Sequence, residues 1–429
     1  MKTRIIITIA ALLSCATTNA QNITGYWNSS YIHADEANPA FIPDCKKYIS
    51  LPGAQFGFQS SIGAYSLLYP AGNGFVTGLH QSVSSEEFLG RIAESARIGA
   101  DGYARVFGIG RKTGERSFMS ASVKMRGTGD ANIPSEVFRL LKDGSTESEN
   151  FDLSGTAYSG DVYGEIAIGA VHSFGSVTVG AKIKLLQGIA RSRMELDRLS
   201  VTTGSDRWTF EGEGFINSAL NGLNPGAAAD LGITARVNDH LTISAAVQDL
   251  GGIAWSAASY YRLPGGQWEY SGLEEEIEIM DSEGTDGLGS KMESAFNGLR
   301  SKLEFVRDGE NAKEYKSLPM SFNAAFKYTL PSWKKLSLGA VAVHRGNGTT
   351  DVRAIADVAA LSWWETSASI GMSTTGLSGG ILTVVKLGPV RAHLGGELLG
   401  SRYGKFSGLI VPIDKIRVMA DFGLQIAFR

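Results

Sequence analysis

Beyond its first twenty residues the chain has no run of eighteen apolar residues, so no part of it is long enough to cross a bilayer as a helix. Cysteine is nearly absent. The two present are Cys15 and Cys45, and if the first leaves with a leader no intrachain disulfide can form. Neither sign of charge dominates: 40 Lys+Arg against 43 Asp+Glu leave a formal charge of -3, which gives no electrostatic reason to bind nucleic acid. The six histidines, His33, His80, His172, His240, His344 and His393, share no H-x-x-x-H or H-E-x-x-H spacing, so no metal and no cofactor are expected. There is no Gly-x-Ser-x-Gly elbow, no P-loop and no Asp-x-Asp-x-Asp-Gly calcium loop. The expected protein is not an enzyme, although a hydrolase could still assemble Ser and His from neighbouring strands.

What is present begins with an export signal. Met1 to Ala20 has a basic start (Lys2, Arg4), an apolar stretch from Ile5 to Leu13 and then Thr18-Asn19-Ala20, the order of a secretory signal peptide cleaved after Ala20. Leu12-Leu13-Ser14-Cys15 offers a rival site that would leave Cys15 lipidated. The 53 glycines outnumber the 11 prolines and are spread through strand-like segments, where Gly suits tight bends and close packing in a barrel wall.

The strand signal is clearest at the end of the chain. From Lys415 to Arg429, Val418, Ala420, Phe422, Leu424, Ile426 and Phe428 alternate with Arg417, Asp421, Gly423 and Gln425, a period of two with one oily face. A half-buried strand of a soluble sandwich alternates in the same way, so the strand alone leaves a secreted sandwich or adhesin open. Thirteen further segments alternate similarly, starting at Gln55 to Leu68. Short turns at 112–114, 174–175, 238–239, 331–334, 362–365 and 388–389 alternate with long excursions at 69–102, 127–160, 196–226 and 250–317. An even strand number with short connections at one end and long ones at the other is the pattern of an outer-membrane barrel. Trp333, Trp363 and Trp364 sit at the short turns, where an aromatic girdle is expected. The fold expected is therefore all-β, a closed antiparallel transmembrane barrel of about fourteen strands over 54–429. Residues 21–53 lack periodicity and read as an N-terminal hatch. Helices are expected in the excursions: Ser84-x-x-Glu87 before Phe88, Ile92 and Ala96, Pro134 before Val137, Phe138 and Leu141, and Met292, Phe296, Leu299 and Leu303 beyond the acidic Glu274-Glu275-Glu276-Ile277-Glu278.

Three short stretches carry a resemblance. Asn38-Pro39-Ala40 in the hatch, Val247-Gln248-Asp249-Leu250-Gly251 with Trp255, and Leu318-Pro319 opening the strand that ends Phe326-Lys327-Tyr328 are similar to outer-membrane barrels of the long-chain fatty-acid transporter type. Within that group the chain looks closest to the relatives of unknown function that include a type IX secretion component. The resemblance implies a fourteen-stranded barrel with an N-terminal hatch. It departs at the terminal aromatic, Phe428, which is followed by Arg429, and in the large acidic loop.

Two functions fit. In the first, a hatch-gated lumen binds or passes a small hydrophobic ligand, with Asn38, Pro39, Ala40 and Phe41 in the hatch and Lys182, Lys184, Lys327, Arg353, Asp357, Arg391, Glu397, Arg417 and Asp421 lining the lumen. In the second, the long loops form a surface scaffold or secretion-associated docking barrel. The expected location is the outer membrane of a Gram-negative bacterium with both termini periplasmic. Expected partners are outer-membrane lipid and the barrel-assembly machinery, with a small hydrophobic ligand or a secreted protein beyond them.

Overall fold

The computed structural model describes residues 22–72, 74–144, 149–204, 208–270, 306–346, 348–374, 376–400, 403–406, 409–412 and 414–428. The leader, with its Cys15 alternative, lies outside the described residues, as do the acidic run at Glu274 and the helical pattern from Met292 to Leu303.

Fourteen strands form the wall: β1 Lys47–Ser60, β2 Ser95–Lys112, β3 Ser117–Pro134, β4 Ala157–Phe174, β5 Val177–Thr203, β6 Trp208–Arg236, β7 Leu241–Tyr270, β8 Ser321–Thr329, β9 Leu336–Arg345, β10 Thr350–Leu361, β11 Trp364–Ser373, β12 Gly376–Leu387, β13 Val390–Gly400 and β14 Ile416–Phe428. Each pairs antiparallel with its chain neighbours, and β14 pairs with β1 from Lys47↔Phe428 to Ser60↔Ile416, so the sheet closes on itself. Closure leaves the wall no free edge, which is what lets strands cross lipid. The expected fourteen-stranded antiparallel barrel is the observed architecture.

Hydrophobicity is turned inside out. On β5, Val179, Ile183 and Leu185 point outward and exposed while Lys182 and Lys184 are buried inside. On β14, Val418, Phe422, Leu424 and Phe428 are exposed, and Asp421 and Gln425 are buried. An exposed apolar belt of this extent on a closed barrel is a lipid-facing surface. Trp333, Trp363, Trp364 and Phe174 lie exposed at the short-turn end, in the position of an interfacial girdle.

Two boundaries differ from the sequence expectation. β1 starts at Lys47, inside the expected hatch, and stops at Ser60, with a helical turn Ala64–Leu67 and a small hairpin of Leu68–Ala71 on Gly74–Thr77 after it. Pro52-Gly53 hid the start, because the register against β14 shifts between Ser50 and Gly53 and breaks the alternation there. The second difference concerns the long excursions. The excursion 196–226 is strand at every described residue except Gly204, and those at 69–102, 127–160 and 250–317 are strand in part. β5, β6 and β7 have 27, 29 and 30 residues, whereas about ten suffice to cross. The lipid-type alternation ends at the membrane, so these extensions lose the pattern that marks a barrel strand while keeping the ladder.

Above the membrane the extensions build their own cores. Phe151, Leu153, Met194, Leu196, Leu199, Val201, Phe210 and Leu263 bury one another on the β5–β7 extension. A second cluster joins Ile62, Tyr69, Val83, Phe88, Ile92 and Phe138. It holds helix α1 Ser85–Leu89, where Ser84 Oγ accepts from the Glu87 N–H at 3.2 Å, and helix α2 Ser135–Asp143, which follows Pro134. α1 is shorter than its apolar spacing suggested because it is capped at Gly90, and Ala96 belongs to β2.

Candidate functional site

Residues 22–46 run inside the barrel. They form a chain of turns around a single 3-10 turn, Ile32–Glu36. Ile42, Asp44 and Lys46 are exposed, and Lys46 bonds through its backbone to Phe428 and Lys112. From Asn22 to Ala40 nearly all are buried although this stretch joins no sheet. Its backbone polar groups must therefore find partners among themselves and on the wall. Asn28 Oδ1 accepts from the N–H groups of Ser30 and Tyr31, and Asn38 Oδ1 from that of Ala40 at 2.9 Å. The Ala37 carbonyl accepts from Asn323 Nδ2 at 2.7 Å and from Gln248 Nε2.

The wall supplies charge. Glu36 takes Lys124, Arg105 at 3.2 Å and Lys182 at 3.8 Å, while Asp35 takes Lys182 at 2.9 Å. Across the lumen Glu397 accepts from the Thr24 N–H and Oγ at 2.8 Å each, and Glu365 from the Ser29 N–H at 3.0 Å and from Ser30. Asp421 accepts from Asn22 Nδ2 at 2.9 Å and Tyr31 OH at 2.6 Å. Burial tends to raise the Glu36 pKa, yet Lys124, Lys182 and Arg105 hold its carboxyl well below the usual range.

Shape matches as well. Gly180 and Gly232 are paired across β5 and β6. A Cβ at Gly180 would strike the Pro39 carbonyl, and one at Gly232 would strike Asn38 Oδ1. Asn38-Pro39 thus sits in a notch that only glycine leaves open. Asn38 is fully buried, with Nδ2 near Tyr26 OH at 3.3 Å and the Ile233 and Ala245 carbonyls at 3.4 Å.

Of the residues expected to line the lumen, Lys182, Arg391, Glu397 and Asp421 hold the segment directly, Arg391 through the Asp44 carbonyl at 2.6 Å. Lys327 lies over the Trp27 ring, 5.4 Å from its centre. Lys184 is in a separate buried group, 2.7 Å from both Asp230 and Asp249, with Arg126 bidentate on Asp249 at 2.9 Å. Arg353 links Asp351 and Glu397, Asp357 accepts from Ser367, and Arg417 is half-buried on β14. Of the expected hatch residues, Phe41 packs its ring against Tyr26 and Trp27, with centres 5.0 and 5.4 Å away.

Sequence reasoning missed Glu36 and Thr24, whose local contexts carry no periodicity, and Glu365, which the turn expected at 362–365 hid although it is the second residue of β11. It also read His33 and His393 as scattered, whereas their rings lie 5.5 Å apart inside the barrel. Asp249, expected only as part of a motif, has φ 58, and the β7 register against β6 shifts between Val247 and Leu250. The kink turns its carboxylate inward to Arg126 and Lys184.

Two cavities flank the segment. One of about 40 Å³ is walled by Tyr31, Glu36, Tyr103, Lys124 and Arg126. The other, about 360 Å³, opens toward the short turns and is lined by Tyr26, Trp27, Phe41 and Ile42 together with Arg236 and Lys327. Its lining mixes these aromatics and cations with polar side chains, among them Asn28, Asp35, Thr178 and Thr242.

The model of a family described as "Family of unknown function (DUF5723)" matches residues 39–396. No curated protein matches the chain. Among solved structures, the deltaS2S3 mutant of the TodX monoaromatic hydrocarbon channel superposes with a TM-score of 0.51 at 10% identity, over 98% of each chain. A FadL homologue of Pseudomonas aeruginosa superposes with a TM-score of 0.51 at 10% identity, over 97% of this chain and 100% of that one. The chain shares the fold of these outer-membrane barrels.

Proposed function

The chain belongs to DUF5723, a family of unknown function, and we propose that this member is an outer-membrane barrel that binds and passes a small hydrophobic ligand, with residues 22–46 as the gate. The observation that carries the reading is the cavity of about 360 Å³, with Tyr26, Trp27 and Phe41 in its lining, beside a segment that as far as Cys45 fills the lumen without joining a ladder. Up to Cys45 side-chain contacts hold the segment to the wall, and they can be exchanged one by one without breaking a ladder hydrogen bond, whereas Lys46 at its end is tied by backbone bonds to Phe428 and Lys112. Tyr26, Trp27 and Phe41 belong to the gate itself, so movement of the gate would carry the apolar wall of the site with it. The fold is that of TodX, described as a monoaromatic hydrocarbon channel, and of a FadL homologue. In this reading the short turns and both termini face the periplasm, lipid surrounds the belt, and the barrel-assembly machinery inserts the chain.

A staple tests it. Thr24 Oγ1 and Ser369 Oγ are 2.7 Å apart, one on the segment and one on β11, so Thr24→Cys with Ser369→Cys, in a Cys45→Ser background, suits a disulfide. In liposomes, uptake of radiolabelled toluene should stop when the pair is oxidised and return on reduction. Equal uptake in the oxidised, reduced and protein-free vesicles would end the proposal.

A further inference from the structure

The contact between His33 on the segment and His393 on β13 is built around one amide. Gln425 Nε2 lies 3.0 Å from His33 Nε2 and 3.0 Å from His393 Nδ1. An amide nitrogen offers two hydrogens and accepts none, so both ring nitrogens act as acceptors. His393 then carries its proton on Nε2, which donates to Asp421 Oδ1 at 3.2 Å. The other oxygen of Asp421 receives Tyr31 and Asn22 of the segment. The chain of bonds is complete only while both imidazoles are neutral. Both are nearly inaccessible, at 4% and 5% exposure.

A proton on His33 Nε2 would set N–H against N–H at Gln425 in this amide orientation, and among the described residues the carboxylates around it, Asp35, Glu36 and Asp421, are already engaged. Arg105 reaches in from β2, Lys124 from β3 and Lys182 from β5, and they engage Glu36 and Asp35 of the segment. Asp421 of β14 is engaged by Tyr31, Asn22 and His393. The phenols of Tyr48 on β1 and Tyr103 on β2, which carry no charge in this range, and the mutually paired Arg126, Lys184 and Asp249 line the adjoining cavities.

We propose that the His33–Gln425–His393 contact is an acid-sensitive latch, which holds residues 22–46 in the barrel at neutral pH and releases them when His33 takes up a proton. The latch concerns release of the segment; it rests on the gated reading only for what release admits. Burial, with Arg105 and His393, holds the His33 pKa well below its usual value against the pull of Glu36. Released, His33 titrates near about 6.5. The docked state is therefore fully favoured above about pH 6.5 and loses population below it, by up to about tenfold per pH unit for each proton taken up, until the lower docked value is reached.

Cys45 reports release without any transport, because the residue is 4% exposed and belongs to the same buried cluster as Ile32 of the segment. Maleimide labelling of the folded barrel, normalised at each pH to the urea-unfolded chain, should rise about tenfold between pH 6.5 and 5.5. His33→Asn, which keeps an acceptor for Gln425, and the His33→Asn/His393→Gln pair should flatten that rise, while His240→Asn at a distant exposed turn should leave it. Heat-modifiable gel mobility establishes that each variant is assembled. Labelling that is flat in the unaltered protein, or that rises equally in the histidine pair, overturns the latch. If labelling rises while toluene uptake does not, the latch stands and the transport reading fails.

Discussion

Glu36 receives Lys124, Arg105 and Lys182 in one small volume, so Glu36→Gln leaves buried cations short of a partner. Removing one member of such a group costs about 3 kcal/mol, and Cys45 labelling at pH 7.5 should rise accordingly. The depressed Glu36 pKa also has a sign. A carboxyl lowered on docking stabilises the docked state above its ordinary value of about 4.3 and loses that contribution only as pH falls through the lower docked value. In His33→Asn, labelling should therefore stay flat from pH 6.5 to about 5, and a rise there would assign the acid response to a carboxyl. Glycine gives a contrast between two faces of the wall. Gly232→Ala drives a methyl into Asn38 and should unseat the segment, whereas a Cβ at Gly396 meets its nearest atom, the Met419 carbonyl oxygen, at 3.7 Å, so Gly396→Ala should label as the unaltered protein does. The glycine surplus was visible in the sequence and read as a barrel property; which glycines face the segment was not, because the contact joins residues far apart in the chain.

At the level of elements, β7 turns on Asp249. A non-glycine residue at φ 58 is uncommon, and Asn is among the side chains that tolerate it. Asp249→Asn keeps the backbone while weakening the link to Arg126 and Lys184, and the loss should be about 3 kcal/mol, read as a lower urea midpoint of heat-modifiable mobility. An unchanged midpoint would make the kink a backbone feature independent of its ions. The extensions of β5 and β6 make a different prediction. Replacing residues 199–212 by a short glycine linker removes Leu199, Val201 and Phe210 from the upper core but leaves the pairing of Val177 to Gly188 with β6 intact. The barrel should still assemble, while Arg139 and Lys142 of α2 become sensitive to trypsin. The strands that meet lipid were legible because alternate residues face two solvents. Their extensions were not, since above the membrane one face is buried under helices and the other meets water, and glycines such as Gly212 and Gly214 interrupt the side-chain pattern.

For the whole molecule, the wall was readable and the interior was not. Strand number, short-turn spacing and the inward set Lys182, Lys184, Arg353, Asp357, Arg391, Glu397 and Asp421 follow from a period of two, which is local information. The segment inside obeys no period. Its position is set by contacts such as Asn22 to Asp421, separated by 399 residues. That separation bears on the order of events. Asn22, Tyr31 and His33 are held by the last strand, and β14 also seals the sheet by pairing with β1. Until β14 arrives, Asn22, Tyr31 and His33 lack Asp421 and Gln425, so the segment waits unlodged while thirteen strands are laid down. Contacts of such separation form late because the intervening chain must first be ordered. Closure of the cylinder and seating of its plug are thus one terminal step of biogenesis, and a chain truncated before Ile416 should stall with its beginning still accessible to protease.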